Sequence, residues 1–197
     1  MNILTGNEHF TFKDWTENKL LLDFWAWISS DLLNNTTRGA LAEFIVATSL
    51  GIDTTQARED WAAFDLLYHQ VKIEVKTSAY LQSWEQTKLS QIKFSISPSH
   101  SWASDTGYSD DFIRQSDLYV FCVYSCIDKS SANPLRLEDW DFYVLPTFVL
   151  NEQCGNQRTI SLSRLLSLNP IKCDYEHISN SVSIALNSVI EYEEENS

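Results

Sequence analysis

From Val71 to Lys76 the chain alternates without exception. Val71, Ile73 and Val75 are apolar, and Lys72, Glu74 and Lys76 are charged. A period of two is the signature of a strand with one face on a core and the other carrying charge. Glu74 and Lys76 therefore project from one face. The residues before this strand, from Trp61 to Tyr68, read as its partner in a hairpin. Ala63, Asp65 and Leu67 share one face of that partner, and Phe64, Leu66 and Tyr68 share the other. A turn centred on His69 and Gln70 pairs Tyr68 with Val71, Leu67 with Lys72 and Leu66 with Ile73. Asp65 then falls opposite Glu74. Two carboxylates facing each other across a ladder repel. A divalent cation turns that repulsion into shared coordination. The same alternation also fits an ordinary solvated sheet face. The turn has no Asn-Gly or Asp-Gly pair to pin it, and a one-residue slip would move Asp65 to the other face.

The 197 residues suit one domain with a substantial core. A hydrophobic fraction of 44% excludes a disordered chain, and five glycines and four prolines leave little for linkers. No run is long and apolar enough to span a membrane. Residues 1–10 hold no basic segment followed by an apolar core, so no secretory signal is expected. Cys122, Cys126, Cys154 and Cys173 lack metal-site spacing and read as reduced thiols of a cytoplasmic protein. The net charge is −13, which weighs against a polyanion partner until its distribution is considered. Residues 31–100 carry eight acids against six bases, and residues 101–197 fifteen against six. The acidity lies in the C-terminal half, while the stretch around the hairpin is nearly balanced. Nucleic-acid binding stays open, without strong non-specific affinity.

Along the chain, Leu20, Leu21, Phe24, Ile28 and Leu32 recur at helical spacing, which predicts a packing helix over about Trp15–Leu33. Asn34, Asn35 and Thr36 offer a helix start, and Gly51 a stop. Within that second helix Glu43 is the one charged residue between Arg38 and Asp53. Buried beside Phe44, Ile45 and Val46, its carboxylate requires a cation or a donor; the alternative is a solvated strip on a half-buried helix. Gly39, Ala40 and Ala47 form a small-residue track suited to close approach to a sheet. Residues 91–97 alternate and predict a strand. Residues 98–111 predict a loop that ends in a short helix near Phe112. Residues 117–124 form a near-continuous apolar run, as in a strand buried on both faces. Residues 140–145 predict another strand, stopped by Pro146. A short helix is expected from Ser161 or Ser163, and a C-terminal helix over 174–192 before an acidic tail. The expected organisation is a single domain over 1–197 with an N-terminal helical extension.

A helix with Glu43, then Asp65, then Glu74-Val75-Lys76 resembles, in this order, the PD-(D/E)XK (restriction-endonuclease-like) nuclease superfamily. The likeness covers residues 36–97 and extends to small bacterial or phage-associated members. It implies an α/β fold with a central mixed β-sheet flanked by helices. It also implies a nuclease that hydrolyses phosphodiester bonds in nucleic acid, with DNA the first expectation. Asp65, Glu74 and Glu43 would hold Mg²⁺ or Mn²⁺ through hard oxygen ligands. Lys76 would orient or help deprotonate the attacking water. Gln82 falls where some members place a substrate-orienting glutamine, and is equally an ordinary polar residue after the strand. Phe64 replaces the name-giving proline, the space between Gly51 and Trp61 is tight for a first core strand, and no basic helix is present to grip a duplex. The competing reading is a non-catalytic protein of the same fold, binding a basic partner through its acidic C-terminal half. A homodimer or partner protein that supplies the grip on DNA is a third.

Overall fold

The computed structural model describes residues 3–57, 63–103 and 107–196. Strands β1 (His9–Phe12) and β2 (Trp15–Leu20) form an antiparallel hairpin, and helix α1 (Leu21–Ser29) follows directly. Of the predicted helix over Trp15–Leu33, only Leu21–Ser29 is helical. Aromatic and β-branched Trp15 and Thr16 go to the strand, while Leu20 ends it and caps the helix, its N–H donating to the Asp23 carboxylate at 2.9 Å. Nor does α1 pack as expected. None of its residues is buried, and Leu22, Phe24, Trp25, Trp27 and Ile28 are exposed. The N-terminal extension is a strand pair plus a short helix rather than one helix.

Helix α2 (Asn35–Ser49) matches its prediction at both ends. The Asn34 side chain accepts the Thr36 N–H, and Gly51 takes the left-handed φ of 68° that glycine tolerates best. Its contact stripe is Ala42, Ile45, Val46 and Ala47, all buried. Gly39 lies outside that stripe, with open space where a Cβ would stand. The close approach thus comes from the alanines and not from the glycine.

Strands β3 (Leu66–Tyr68) and β4 (Val71–Ala79) form the predicted hairpin. After β4 come β5 (Lys93–Ser95), β6 (Ser99–Ala103) and β7 (Gly107–Ile113). The loop and helix expected over 98–112 are instead the antiparallel pair β6–β7. Next are β8 (Leu118–Tyr124), β9 (Trp140–Pro146), α3 (Thr147–Cys154), β10 (Thr159–Ser161), α4 (Leu162–Leu166), β11 (Ile171–Cys173) and α5 (Ile178–Glu195). The five-stranded sheet runs β11-β9-β8-β4-β3, with β4 and β8 parallel and every other neighbour antiparallel. Every residue of β8 is buried, as its apolar run requires of a central strand. β5 pairs with β10 apart from this sheet.

Alternation divides the sheet between two cores. Val71, Ile73, Val75, Val120 and Phe142 pack with Ala42 and Val46 of α2 and Val182 of α5. Tyr119, Phe121, Val123 and Leu145 pack on the other side with Phe94, Leu150, Ile160 and Leu165. The protein is thus a mixed α/β fold whose central sheet is covered on both faces. The four cysteines are free thiols, two of them buried.

The turn between β3 and β4 has φ of 47° at His69 and 70° at Gln70. Two successive positive values are the geometry of the tight hairpin turns that favour Asn-Gly, here built from residues that bear the cost. Gln70→Gly is expected to raise unfolding free energy by about 0.5 kcal/mol, strain relief exceeding the added freedom of the unfolded chain. Gln70→Val is expected to lower it by about 1–2 kcal/mol. Urea denaturation of both variants checks the pair.

Candidate active site

The turn fixes the register. Leu66 pairs with Ile73, Leu67 with Lys72 and Tyr68 with Val71, as the alternation predicts. Asp65 is the next residue out, where the ladder ends. Its N–H donates to the Ile73 carbonyl at 3.1 Å, and its Oδ2 accepts the Val75 N–H at 2.7 Å. The side chain thus occupies the edge of β4 that a longer β3 would have paired. That bond anchors the carboxylate beside Glu74.

Glu74 lies on the sheet face opposite Val71, Ile73 and Val75, and is in register with Tyr119 of β8. Its Oε1 forms an ion pair with the Lys76 ammonium, and its Oε2 accepts the Ser116 hydroxyl at 3.2 Å. The Glu74 side chain is 19% exposed. Burial pushes its carboxyl above the usual carboxylate range. Lys76 pulls it back down, and the Asp65 charge pushes it up again. Two carboxylates and one ammonium are therefore grouped where the neighbouring acid and the loss of water both disfavour the Glu74 charge.

Glu43 reaches this edge from the other face, where α2 packs. It is half-buried and, with Asp65, lines a cleft of about 570 Å³ whose walls include Phe44, Ile52 and Leu66. Asp65 is the link: it shares the cleft with Glu43 and the hairpin end with Glu74. Among the described residues, however, no three or more His, Cys, Asp or Glu side chains are grouped to hold a metal ion. Asp65 thus neighbours Glu74, while Glu43 shares with Asp65 only the lining of the cleft.

Gln82 lies three residues past the end of β4 and is buried. Its Nε2 donates to the Ala79 carbonyl at 3.0 Å, and its backbone N–H donates to Gln86 Oε1 at 2.6 Å. Among the described residues its Oε1 has no hydrogen-bond partner. Gln86 Nε2 in turn donates to the Tyr80 carbonyl and to Ser90 Oγ. These contacts place Gln82 in the hydrogen-bonded loop after β4. The position of Trp61, where the first hairpin strand was expected to begin, lies outside the described residues.

Sequence reasoning passed over Ser116 and Tyr119. Tyr119 is buried beside Glu74, and both burial and the Glu74 charge hold its phenol well above its ordinary range, so it keeps its proton. The available signal was the apolar run of β8. Had β8 been aligned in parallel beside β4, the residues at its entrance would have faced Glu74.

The family model for bacteriophage T4 endonuclease IV matches residues 19–164. The chain belongs to this family. No curated protein and no solved structure matches it in the other two comparisons. The matched span carries Glu43, Asp65, Glu74, Lys76, Gln82 and Ser116. It starts inside β2 and ends inside α4, so it leaves out β1, β11 and α5.

The raised carboxyl of Glu74 has a consequence for stability. Its folded pKa exceeds the unfolded value, so its stabilising contribution is full below the unfolded pKa and is lost as pH rises through the folded one. With chelator present, Glu74→Gln is expected to melt higher than wild type at neutral pH. The difference is expected to shrink as pH falls toward the ordinary glutamate range. Paired melting curves across pH check it.

Proposed function

We propose that this protein is a nuclease of PD-(D/E)XK type that hydrolyses phosphodiester bonds in DNA with the help of Mg²⁺ or Mn²⁺. The supporting observation is the end of the β3–β4 hairpin, where Asp65 and Glu74 stand together and Lys76 pairs with Glu74. Membership of a family named for an endonuclease supports the same activity.

The residues present fit a hard divalent cation. Asp65 and Glu74 offer carboxylate oxygens, and burial, with the Asp65 charge adding to it, holds the Glu74 carboxyl above its usual range, a cost that a bound cation would offset. Asp65 and Glu74 would hold the ion, with Glu43 joining from the cleft directly or through water. A bound divalent cation supplies a water of lowered pKa and offsets the charge that builds on the phosphate.

The remaining work falls to the chain. The Val75 N–H fixes one oxygen of Asp65, so that carboxylate is oriented before any ligand arrives. Glu74 is held at both oxygens. Lys76, on the same face, carries the positive charge that meets a phosphate and orients the water beside it. Its present partner is Glu74, so it exchanges that ion pair for the substrate. The cleft between α2 and the edge strand leads to Asp65 and gives the substrate an approach. Gln82 contributes through the loop after β4 that it supports.

Asp65→Ala, Glu74→Ala and Lys76→Ala are each expected to lower cleavage at least about a hundredfold. Chelator is expected to abolish it in wild type. Duplex, nicked, branched and single-stranded DNA, each with Mg²⁺ and with Mn²⁺, form the assay. Equal action by wild type and Asp65→Ala on every substrate would contradict the proposal.

A further inference from the structure

We infer that Ser116 is a positioning residue for the metal-binding carboxylate of Glu74, an inference that rests on the metal-dependent reading above. Its hydroxyl donates to Glu74 Oε2 at 3.2 Å, and the residue is 4% exposed.

The chain is anchored on both sides of Ser116. Two residues earlier, the Arg114 guanidinium is buried and tied at every nitrogen. Nε donates to the Ile96 carbonyl at 2.9 Å, one terminal nitrogen to Asn151 Oδ1 at 2.8 Å, and the other to the Gly155 and Gln157 carbonyls. One residue later, the Asp117 N–H donates to the Lys72 carbonyl at 2.8 Å. The Asp117 carboxylate accepts the Lys72 N–H at 2.8 Å, and the Asp117 carbonyl accepts the Thr147 N–H at 2.9 Å. Ser116 is thus held between two anchors, at the entrance of β8 and beside the strand that carries Glu74. A hydroxyl carried on a backbone anchored in this way helps set the direction of the carboxylate it touches.

The chemistry of the donor matters as well. Lys76 holds the other oxygen of Glu74 with a full positive charge, which competes with a cation for that carboxylate. A serine hydroxyl orients the carboxylate and adds no net charge. When Lys76 turns to a phosphate, the Ser116 bond remains to keep Glu74 in place. Ligand-supporting hydrogen bonds of this kind typically change metal affinity by 10–100-fold when removed.

The test compares Ser116→Thr with Ser116→Val, which share a shape and differ in the hydroxyl. Each is titrated with Mn²⁺ alone, without DNA, and melting temperature is followed, since a ligand bound to the folded state raises it in proportion to ln(1 + [L]/Kd). Glu74→Ala serves as the reference without the ligand. Half-saturation in Ser116→Val is expected at about tenfold higher Mn²⁺ than in wild type. Ser116→Thr is expected to stay within about threefold of wild type, because it keeps the donor. Metal-free melting of the two variants separates a folding defect from a binding defect. The inference is overturned if Ser116→Val saturates with wild type while Glu74→Ala loses the shift, which leaves the metal site itself intact. It is equally overturned if Ser116→Thr loses affinity as fully as Ser116→Val. A wild type without any Mn²⁺ shift would overturn the inference together with the metal-dependent reading beneath it.

Discussion

Strand β4 has to serve two environments at once, and the pleat lets it do so. Val71, Ile73 and Val75 point into the core shared with α2 and α5, and Glu74 and Lys76 point to the opposite face. Register is what makes this division hold. A one-residue shift would move three buried aliphatic side chains to the charged face and two charges into the core under α2, at a cost on the order of several kcal/mol. The tight turn at His69 and Gln70 and the parallel pairing with β8 enforce the same register from two sides. The positions of Asp65, Glu74 and Ser116 follow from it. Asp65 comes to the end of the short edge strand, and Glu74 comes beside Tyr119 and Ser116.

The carboxylate grouping is an electrostatic cost built into the fold. Asp65 takes a backbone N–H from Val75, and Glu74 takes an ammonium and a hydroxyl, yet the Glu74 carboxyl still sits above its usual range. A purely structural sheet edge would relax by substituting one acid. Retaining both in a partly buried place is the pattern expected of a site that trades stability for ligand binding. Glu43 extends the negative character into the cleft without closing a three-member ligand group among the described residues.

Much of this was legible in the sequence because the signals were periodic. The alternation of residues 71–76 gave the register, the Asn34 cap and Gly51 stop framed α2, and the unbroken apolar run of 118–124 marked the central strand. What escaped was short or non-local. Trp15–Leu20 shared its apolar residues with the following helix, so a strand–helix junction read as one helix. Pro146 was read as the end of a strand, but it also caps α3. β11, only three residues long, is too short to show alternation. Ser116 could not be found at all without knowing that β8 runs parallel to β4, because its role comes from a contact 42 residues away in the chain. The outward-facing aromatic residues of α1 show a related limit: helical spacing reveals an apolar face but not whether anything covers it.

The proposed activity requires Asp65 and Glu74 to share a divalent cation. Crystals grown or soaked with Mn²⁺ and measured near the manganese absorption edge test it most directly. An anomalous difference peak is expected between the carboxylates of Asp65 and Glu74, absent in Glu74→Ala. A map in which Mn²⁺ sits elsewhere, with the two carboxylates holding only Lys76, Ser116 and the Val75 N–H, would contradict it.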